Sequence, residues 1–309
     1  MITFSKKMPH ISVIMSSYNH DKYISTAIES VLNQTFSDFE LIIIDDASKD
    51  RTREIIESYT NKDQRIRVLY QKKNKGISCT MNLGLNKATG KHITFIASDD
   101  IWYRYKLEKE LAILKNDENL VVTSEASIID DRGNPTGQTF SQIKNAVKRN
   151  KSGDIFEELL IGNFVHDLIL KRENLKGLKY DEQLKYLNDY KFVVDLSSQY
   201  NFFFIPEPLC MYRIHGQNTM ASDAENWRRD IIKFGQDVLR KYGRTISNRT
   251  KARVCLTMAA SFVKLGNREK SREFLFKALK IKPFDWRYLI FLVSYIKNGI
   301  GQARKSRCS

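Results

Sequence analysis

Two adjacent carboxylates, Asp99 and Asp100, follow the short apolar run Ile93-Thr94-Phe95-Ile96-Ala97. A run of that length fits a buried strand, and an open parallel sheet keeps its ligand crevice at the C-terminal end of such strands. Carboxylates side by side repel, and each costs roughly several kcal/mol to desolvate unless a cation, a hydroxyl or backbone donors meet it. A hard divalent metal with a phosphate on its far side would satisfy both. The competing explanation is a solvated turn in which Asp100 caps a helix from Tyr105 to Lys115. Two more polar clusters close apolar runs in the same way: Ser16-Ser17-Tyr18-Asn19 after Ile11 to Met15, and Asp45-Asp46 after Glu40 to Ile44. Their chemistry suits a nucleotide. Tyr18 offers a flat face for a base, Asp46 can accept from a pyrimidine N–H, Asp99 can take ribose hydroxyls, and Asp100 can hold a metal on a diphosphate.

Regular elements must bring these clusters together. Strands are predicted at Ile11–Met15, Glu40–Ile44, Ile66–Tyr70 and the run before Asp99. Helical spacing lies between them: Ile24, Ala27, Ile28, Val31; then Ile55, Ile56, Tyr59; then Ile77, Met81, Gly84, Leu85, with Gly90 as a C-terminal glycine cap. Four strands alternating with three helices imply right-handed crossovers and a parallel sheet, so the polar ends of strands one, two and four converge on one edge. Further on, Leu107, Leu111 and Leu114 mark a helix, Leu120 to Thr123 a strand, and Asp130 to Pro135 a turn. The polar stretch from about 135 to 152 is expected to be a surface loop.

The residues now carry a family resemblance. The strings from Ile11 to Asn19 and from Val31 to Ser48, together with Asn74–Ser78, Asn82, Ala88–Gly90 and Ser98–Asp100, resemble the family 2 glycosyltransferases of the GT-A fold over roughly the first 105 residues. The resemblance implies a Rossmann-like, mainly parallel α/β sheet and an inverting enzyme using a nucleotide-sugar donor with Mn2+ or Mg2+. Ser98-Asp99-Asp100 would be its DXD variant, with Asp100 on the metal and Asp99 near the ribose. Ser16, Tyr18 and Asp46 fall on positions around the base, and Asn82 joins the donor-binding set. The segment from Tyr180 to Phe192 resembles the part of the family that brings in the catalytic base. Relatives often have Glu-Asp where this chain has Asn188-Asp189, so the base role passes to Asp189 alone; by itself, Asp189 equally fits a carboxylate complementing a helix N-terminus. Tyr212-Arg213-Ile214-His215 resembles the family's closing loop, which makes His215 a metal ligand or diphosphate contact and Arg213 a partner for leaving-group charge or for Glu207.

Composition bounds the remainder. A 309-residue chain with 42% apolar content holds one large domain and a smaller one. Residues 1 to 223 carry 30 basic and 30 acidic side chains, whereas 224 to 309 carry 21 and 6, so the whole charge of +15 lies in the tail. We therefore expect a catalytic domain over 1–222, with a donor half to about 105 and an acceptor half from 106, followed by a basic helical appendage over 223–309 that includes one tetratricopeptide-like hairpin. Phe284 to Ile296, with Arg304, Lys305 and Arg307 beyond it, suits the interface of an anionic membrane but is too short to span one. Four scattered cysteines and the lack of a signal or spanning segment point to a cytoplasmic protein, soluble or peripheral on the inner face. Two other classes remain: a sugar-1-phosphate nucleotidyltransferase, which would show a Gly-rich basic loop after strand one, and a non-catalytic scaffold with a basic tail. Nucleic acid is an unsuitable partner for three acidic clusters. The expected acceptor is a hydroxyl of a glycan or lipid-linked molecule.

Overall fold

The computed structural model describes residues 8–144, 152–162, 165–216, 223–283 and 287–288. Most of the membrane-interface candidate, Phe284 to Ile296, and the basic residues after it lie outside these. The chain divides into two compact units. One comprises Met1–Phe156, Asn163–Gln183 and Asn188–Asn218, and the other Glu157–Gly162, Leu184–Leu187 and Thr219–Ser309.

The first unit opens with β1 (Ile11–Ser17), α1 (Ile24–Leu32), β2 (Phe39–Asp45), α2 (Thr52–Thr60), β3 (Ile66–Tyr70), α3 (Ile77–Lys87), β4 (His92–Ala97), β5 (Ile101–Trp102) and α4 (Lys106–Leu114). Then come β6 (Val121–Ile129), β7 (Pro135–Thr139), α5 (Phe140–Ile143), α6 (Phe156–Leu160, which runs into the second unit), β8 (Ile169–Lys171), α7 (Asn188–Ser197) and β9 (Phe202–Arg213). Among the described residues these strands form one nine-stranded sheet in the order β3-β2-β1-β4-β8-β6-β9-β5, with β7 beside β6. β3, β2, β1 and β4 run parallel, and β8 is antiparallel to both its neighbours. The strand order reverses at β1, with β2 on one side and β4 on the other, which is where an open α/β sheet leaves a crevice. Ile11, Val13 and Met15 pack with Ile24, Ile28 and Val31 of α1 in the core, which explains the helical spacing seen in the sequence.

Gly90 has a different task from the helix cap expected of it. Helix α3 stops at Lys87 with Ala88 extended, and Gly90 is not among the positive-φ residues. A Cβ at Gly90 would lie 2.5 Å from the Ser12 backbone nitrogen, so the position demands close approach to β1. Its N–H donates to Ser12 Oγ at 2.8 Å. Buried Glu40 completes the joint by accepting from Ser12 Oγ at 2.7 Å and Thr89 N–H at 2.8 Å. Nor does Asp100 cap α4: its N-cap is Tyr105, with no side-chain cap bond.

The second unit holds α8 (Ala224–Tyr242), α9 (Asn248–Lys264) and α10 (Arg268–Ile281). Asp223, Ser247 and Asn267 cap the three N-termini through side-chain oxygens. α8 and α9 approach closely because residue 235 is glycine; a Cβ there would sit 2.6 Å from Met258 Sδ. No described helix is long and apolar enough to cross a membrane.

His92 opens β4 at 3% exposure, and neither ring nitrogen meets a partner among the described residues. Burial, then the charges of His10 and Lys91, lower its pKa from 6.5 to about 4, against a smaller pull from Glu118. The unfolded chain therefore binds the proton more tightly, and the stability contributed by neutral His92 is present above pH 6.5 and drains away towards pH 4. At 1.36 kcal/mol per unit the loss is roughly 2 to 3 kcal/mol. Denaturant unfolding between pH 7 and 4.5 should show this slope in the native sequence and a flatter one in His92→Phe.

Candidate active site

Register brings the predicted donor residues to one edge. Ser17 pairs with Asp45 and Ser16 with Ala97, and the Asp46 N–H donates to Ser17 O at 2.9 Å. Tyr18 is 41% exposed, its face open to a planar ligand. Asp46 is buried, and its oxygens accept from Lys75 N–H, Gly76 N–H and Gln71 Nε2, each at 2.8 Å. A carboxylate has about four lone-pair sites, so Asp46 orders the turn ahead of α3 with about one acceptor site to spare. Gly76, with φ +84°, is the N-cap of that helix.

Asn82 uses its amide to bridge elements. Its oxygen accepts from Tyr180 N–H at 2.8 Å, and its NH2 donates to Tyr180 O and Glu182 Oε1, both at 3.0 Å. The segment so fixed leads towards α7, and the Tyr180 ring stacks on Phe192 of that helix at 4.3 Å. Asp189 lies in the first turn of α7. Its side chain is exposed; surrounding protein atoms raise its carboxyl pKa by desolvation, offset by the N–H groups of Tyr190 and Asp189 itself and by the charge of Lys144. Accessible area decides how far desolvation acts, so water at Asp189 limits that rise.

Asp99 and Asp100 part company. Asp99 joins His20 and His215 in a group whose ligand atoms all lie within 4.8 Å of one another. His215 Nε2 is 2.9 Å from Asp99 Oδ2, and His20 Nδ1 is 2.8 Å from Ser98 Oγ. Burial lowers the pKa of His20 despite the pull of Asp99, which favours the neutral imidazole that metals bind. Two imidazoles and a carboxylate make a donor set of intermediate softness, better matched to Mn2+ than to Mg2+. Asp100 stands back. Its Oδ1 accepts from Arg213 N–H at 2.9 Å and its Oδ2 lies 3.6 Å from His166 Nε2. Burial and the charge of Asp99 push its carboxyl well above the usual range.

Arg213 is 3% exposed, and its guanidinium donates to backbone carbonyls: Asp99 at 2.8 Å, Asp130 at 3.2 Å and Asp131 at 3.3 Å. It therefore clamps the Asp99-Asp100 turn to the β6–β7 turn. Below, Lys106 is fully buried against Glu110 and Asp167. Those carboxylates raise the lysine pKa against its burial, and Asp167 adjoins His166. The Tyr212 hydroxyl is pushed up to about 12 by burial and then by the charges of Asp100, Asp99 and Asp189.

Sequence reasoning did not select His20, His166, Tyr23 or Lys106. His20 directly follows the Tyr18-Asn19 cluster, and that adjacency was the available signal. The others take their roles from partners far off in the chain that no local pattern links to them: Asp100 for His166, Asp131 and His215 for Tyr23, and Asp167 for Lys106.

Residues 12–177 match Glycosyl transferase family 2, and the chain belongs to that family. An uncharacterized glycosyltransferase of Methanocaldococcus jannaschii is 34% identical over 225 residues, covering 69% of this chain and 74% of its own. A Bacillus subtilis protein, TuaG, named for teichuronic acid biosynthesis, is 42% identical over 106 residues, or 34% of this chain and 42% of its own. Staphylococcus aureus TarS in complex with UDP-GlcNAc superposes with TM-score 0.63 at 19% identity, over 93% of this chain and 88% of that one. A mannosyltransferase of Pyrobaculum calidifontis in complex with GDP-Man and Mn2+ gives 0.57 at 12%, over 96% and 87%. The sheet and its helices form the GT-A fold, and the protein is an enzyme of the glycosyltransferase class.

Removing the buried ammonium should cost stability, because Asp167 would be left charged and unpaired while Glu110, whose carboxyl is already pushed up to about 7, takes up a proton. Lys106→Met is expected to lose roughly 3 kcal/mol in denaturant unfolding at pH 7. A loss under about 1 kcal/mol would contradict this account of the network.

Proposed function

We propose that this glycosyltransferase moves a sugar from a nucleoside diphosphate, UDP or dTDP in preference to GDP, to a hydroxyl of a glycan or lipid-linked acceptor, with inversion at the anomeric carbon. The observation that carries the reading is the convergence of Asp99, His20 and His215, with ligand atoms all within 4.8 Å of one another, at the strand-end edge that also bears the exposed Tyr18. The binding of UDP-GlcNAc by TarS and the name of TuaG support a nucleotide-sugar donor and a role in cell-surface polysaccharide synthesis.

On this reading Tyr18 stacks on the base, Asp46 offers its remaining acceptor site to a pyrimidine N–H, and Ser16 lies beside them. Asn82 and Arg213 act at one remove, by fixing the segment before α7 and the Asp99-Asp100 turn. Asp99, His215 and His20 would hold Mn2+, or less favourably Mg2+. When bound, the cation neutralises charge that develops on the departing diphosphate. Asp100 stands beside that group, and its carboxylate would join the ligands through a lone pair that Arg213 N–H leaves open. Across the site, Asp189 accepts the proton of the acceptor hydroxyl as that oxygen attacks the face opposite the leaving group. A raised carboxyl pKa makes it the better proton acceptor. No covalent intermediate is required, because the base and the leaving group stand on opposite sides of the sugar. We assign catalysis to 1–222, and to the basic residues of 223–309 a peripheral contact with the anionic inner face of the membrane.

A thermal-shift panel of UDP-, dTDP- and GDP-sugars, with and without Mn2+, tests the donor. Uridine and thymidine nucleotides should stabilise the protein, more so with the metal; stabilisation by GDP-sugars alone would reverse the base assignment. Asp189→Asn should lower transfer by about 10²- to 10⁴-fold while UDP binding persists, and normal turnover by that variant would remove the base role.

A further inference from the structure

Tyr23 is 7% exposed and precedes the first turn of α1 as its N-cap, although it makes no side-chain cap bond there. Its buried ring does other work. It stacks on His215, centroids 4.9 Å apart and planes 30° from parallel, and meets His20 edge-on at 6.0 Å. The Arg213 guanidinium lies 5.0 Å from its centroid. Its hydroxyl donates to Asp131 Oδ1 in the β6–β7 turn, the turn whose carbonyls Arg213 also holds. The ring thus meets both metal-capable imidazoles and the guanidinium that clamps the Asp99-Asp100 turn to the β6–β7 turn.

We infer that Tyr23 is a positioning residue for the metal site: its ring sets the plane of His215, and its hydroxyl, tied to Asp131, sets the ring. An imidazole that keeps the same rotamer with and without metal binds without first losing side-chain freedom, and partners of ligating histidines are typically worth 10- to 100-fold in metal affinity. The inference rests on the His20, Asp99 and His215 reading above and extends it to a residue that touches neither substrate nor metal.

Mn2+ titration of the full chain, following free Mn2+ by electron paramagnetic resonance, tests it without any turnover. Tyr23→Leu removes the stack and the tether together and should weaken Mn2+ binding by about 10- to 100-fold. Tyr23→Phe and Asp131→Ala each break only the tether, with Asp131 on an exposed turn, and should each weaken it by a few fold. UDP affinity measured in EDTA should be unchanged in all three, which a general loss of structure would not allow. Should Tyr23→Leu not fold, the two tether variants decide the matter on the same readouts. Mn2+ affinity within twofold of the native protein in Tyr23→Leu, or in both tether variants, would overturn the role of Tyr23 and leave the metal site standing. Equal losses of Mn2+ and metal-free UDP binding would overturn it too, as plain destabilisation. A native protein that binds no Mn2+ would remove the metal site and this inference with it.

Discussion

Two consecutive carboxylates at the end of a central strand impose an electrostatic debt on everything around them. Asp100 is nearly sealed from water, and the neighbouring Asp99 raises its pKa further. The chain answers with dipoles and orientable rings more than with formal positive charge. Asp100 receives a backbone N–H and faces an imidazole, while Asp99 meets His215. The nearest guanidinium, that of Arg213, points at carbonyl oxygens. Negative potential therefore persists on the side where Asp99 and two imidazoles converge. A divalent cation would relieve it there, where the three candidate ligand atoms already lie within 4.8 Å of one another.

Loop geometry follows from the same demand for fixed positions. The turns after β1 and β2 each hold a non-glycine residue in the left-handed region, Asn19 at φ +53° and Ala47 at +62°. Such conformations cost about 1 kcal/mol or more and persist when neighbours over-determine them. Here they do: Asn19 Oδ1 accepts from Lys49 N–H at 2.8 Å, and Asn19 N–H donates to Ser48 Oγ at 3.0 Å. The two turns lock to each other and carry His20 and Asp46 as a unit.

The layers of the first half of the fold were legible because each strand there is a continuous apolar run and each helix shows one clean stripe. Ile66–Tyr70 matches its prediction to the residue, and β1 and β2 extend theirs at one or both ends to include Ser17 and Asp45. What escaped was pairwise. Glycine at 90 looks like a cap in a string of letters, and only the distance to Ser12 shows it as a contact requirement. Asp99 and Asp100 are equivalent in sequence, and their different partners, His215 for Asp99 and Arg213 with His166 for Asp100, lie more than 60 positions away. Lys106 occupies an amphipathic helix where lysine normally faces water; that it is buried follows from Glu110 one turn on and from Asp167, which no local pattern links to it.

The two sides of the proposed site differ in how firmly they are held, and the difference matches what each would have to recognise. Asp46 is engaged by three donors, and Arg213 fixes the Asp99-Asp100 turn through bonds to backbone carbonyls. Groups set in advance stabilise developing charge without paying for reorientation, as a fixed nucleoside diphosphate leaving group requires. Asp189, in contrast, is reached by water, and its carboxylate accepts from the adjacent Tyr190 N–H at 2.6 Å. If Asp189 serves as the base, so light a tether would let it follow hydroxyls presented at different angles; donor selectivity would then reside in the strand ends of β1, β2 and β4, and acceptor selectivity in surfaces around α7.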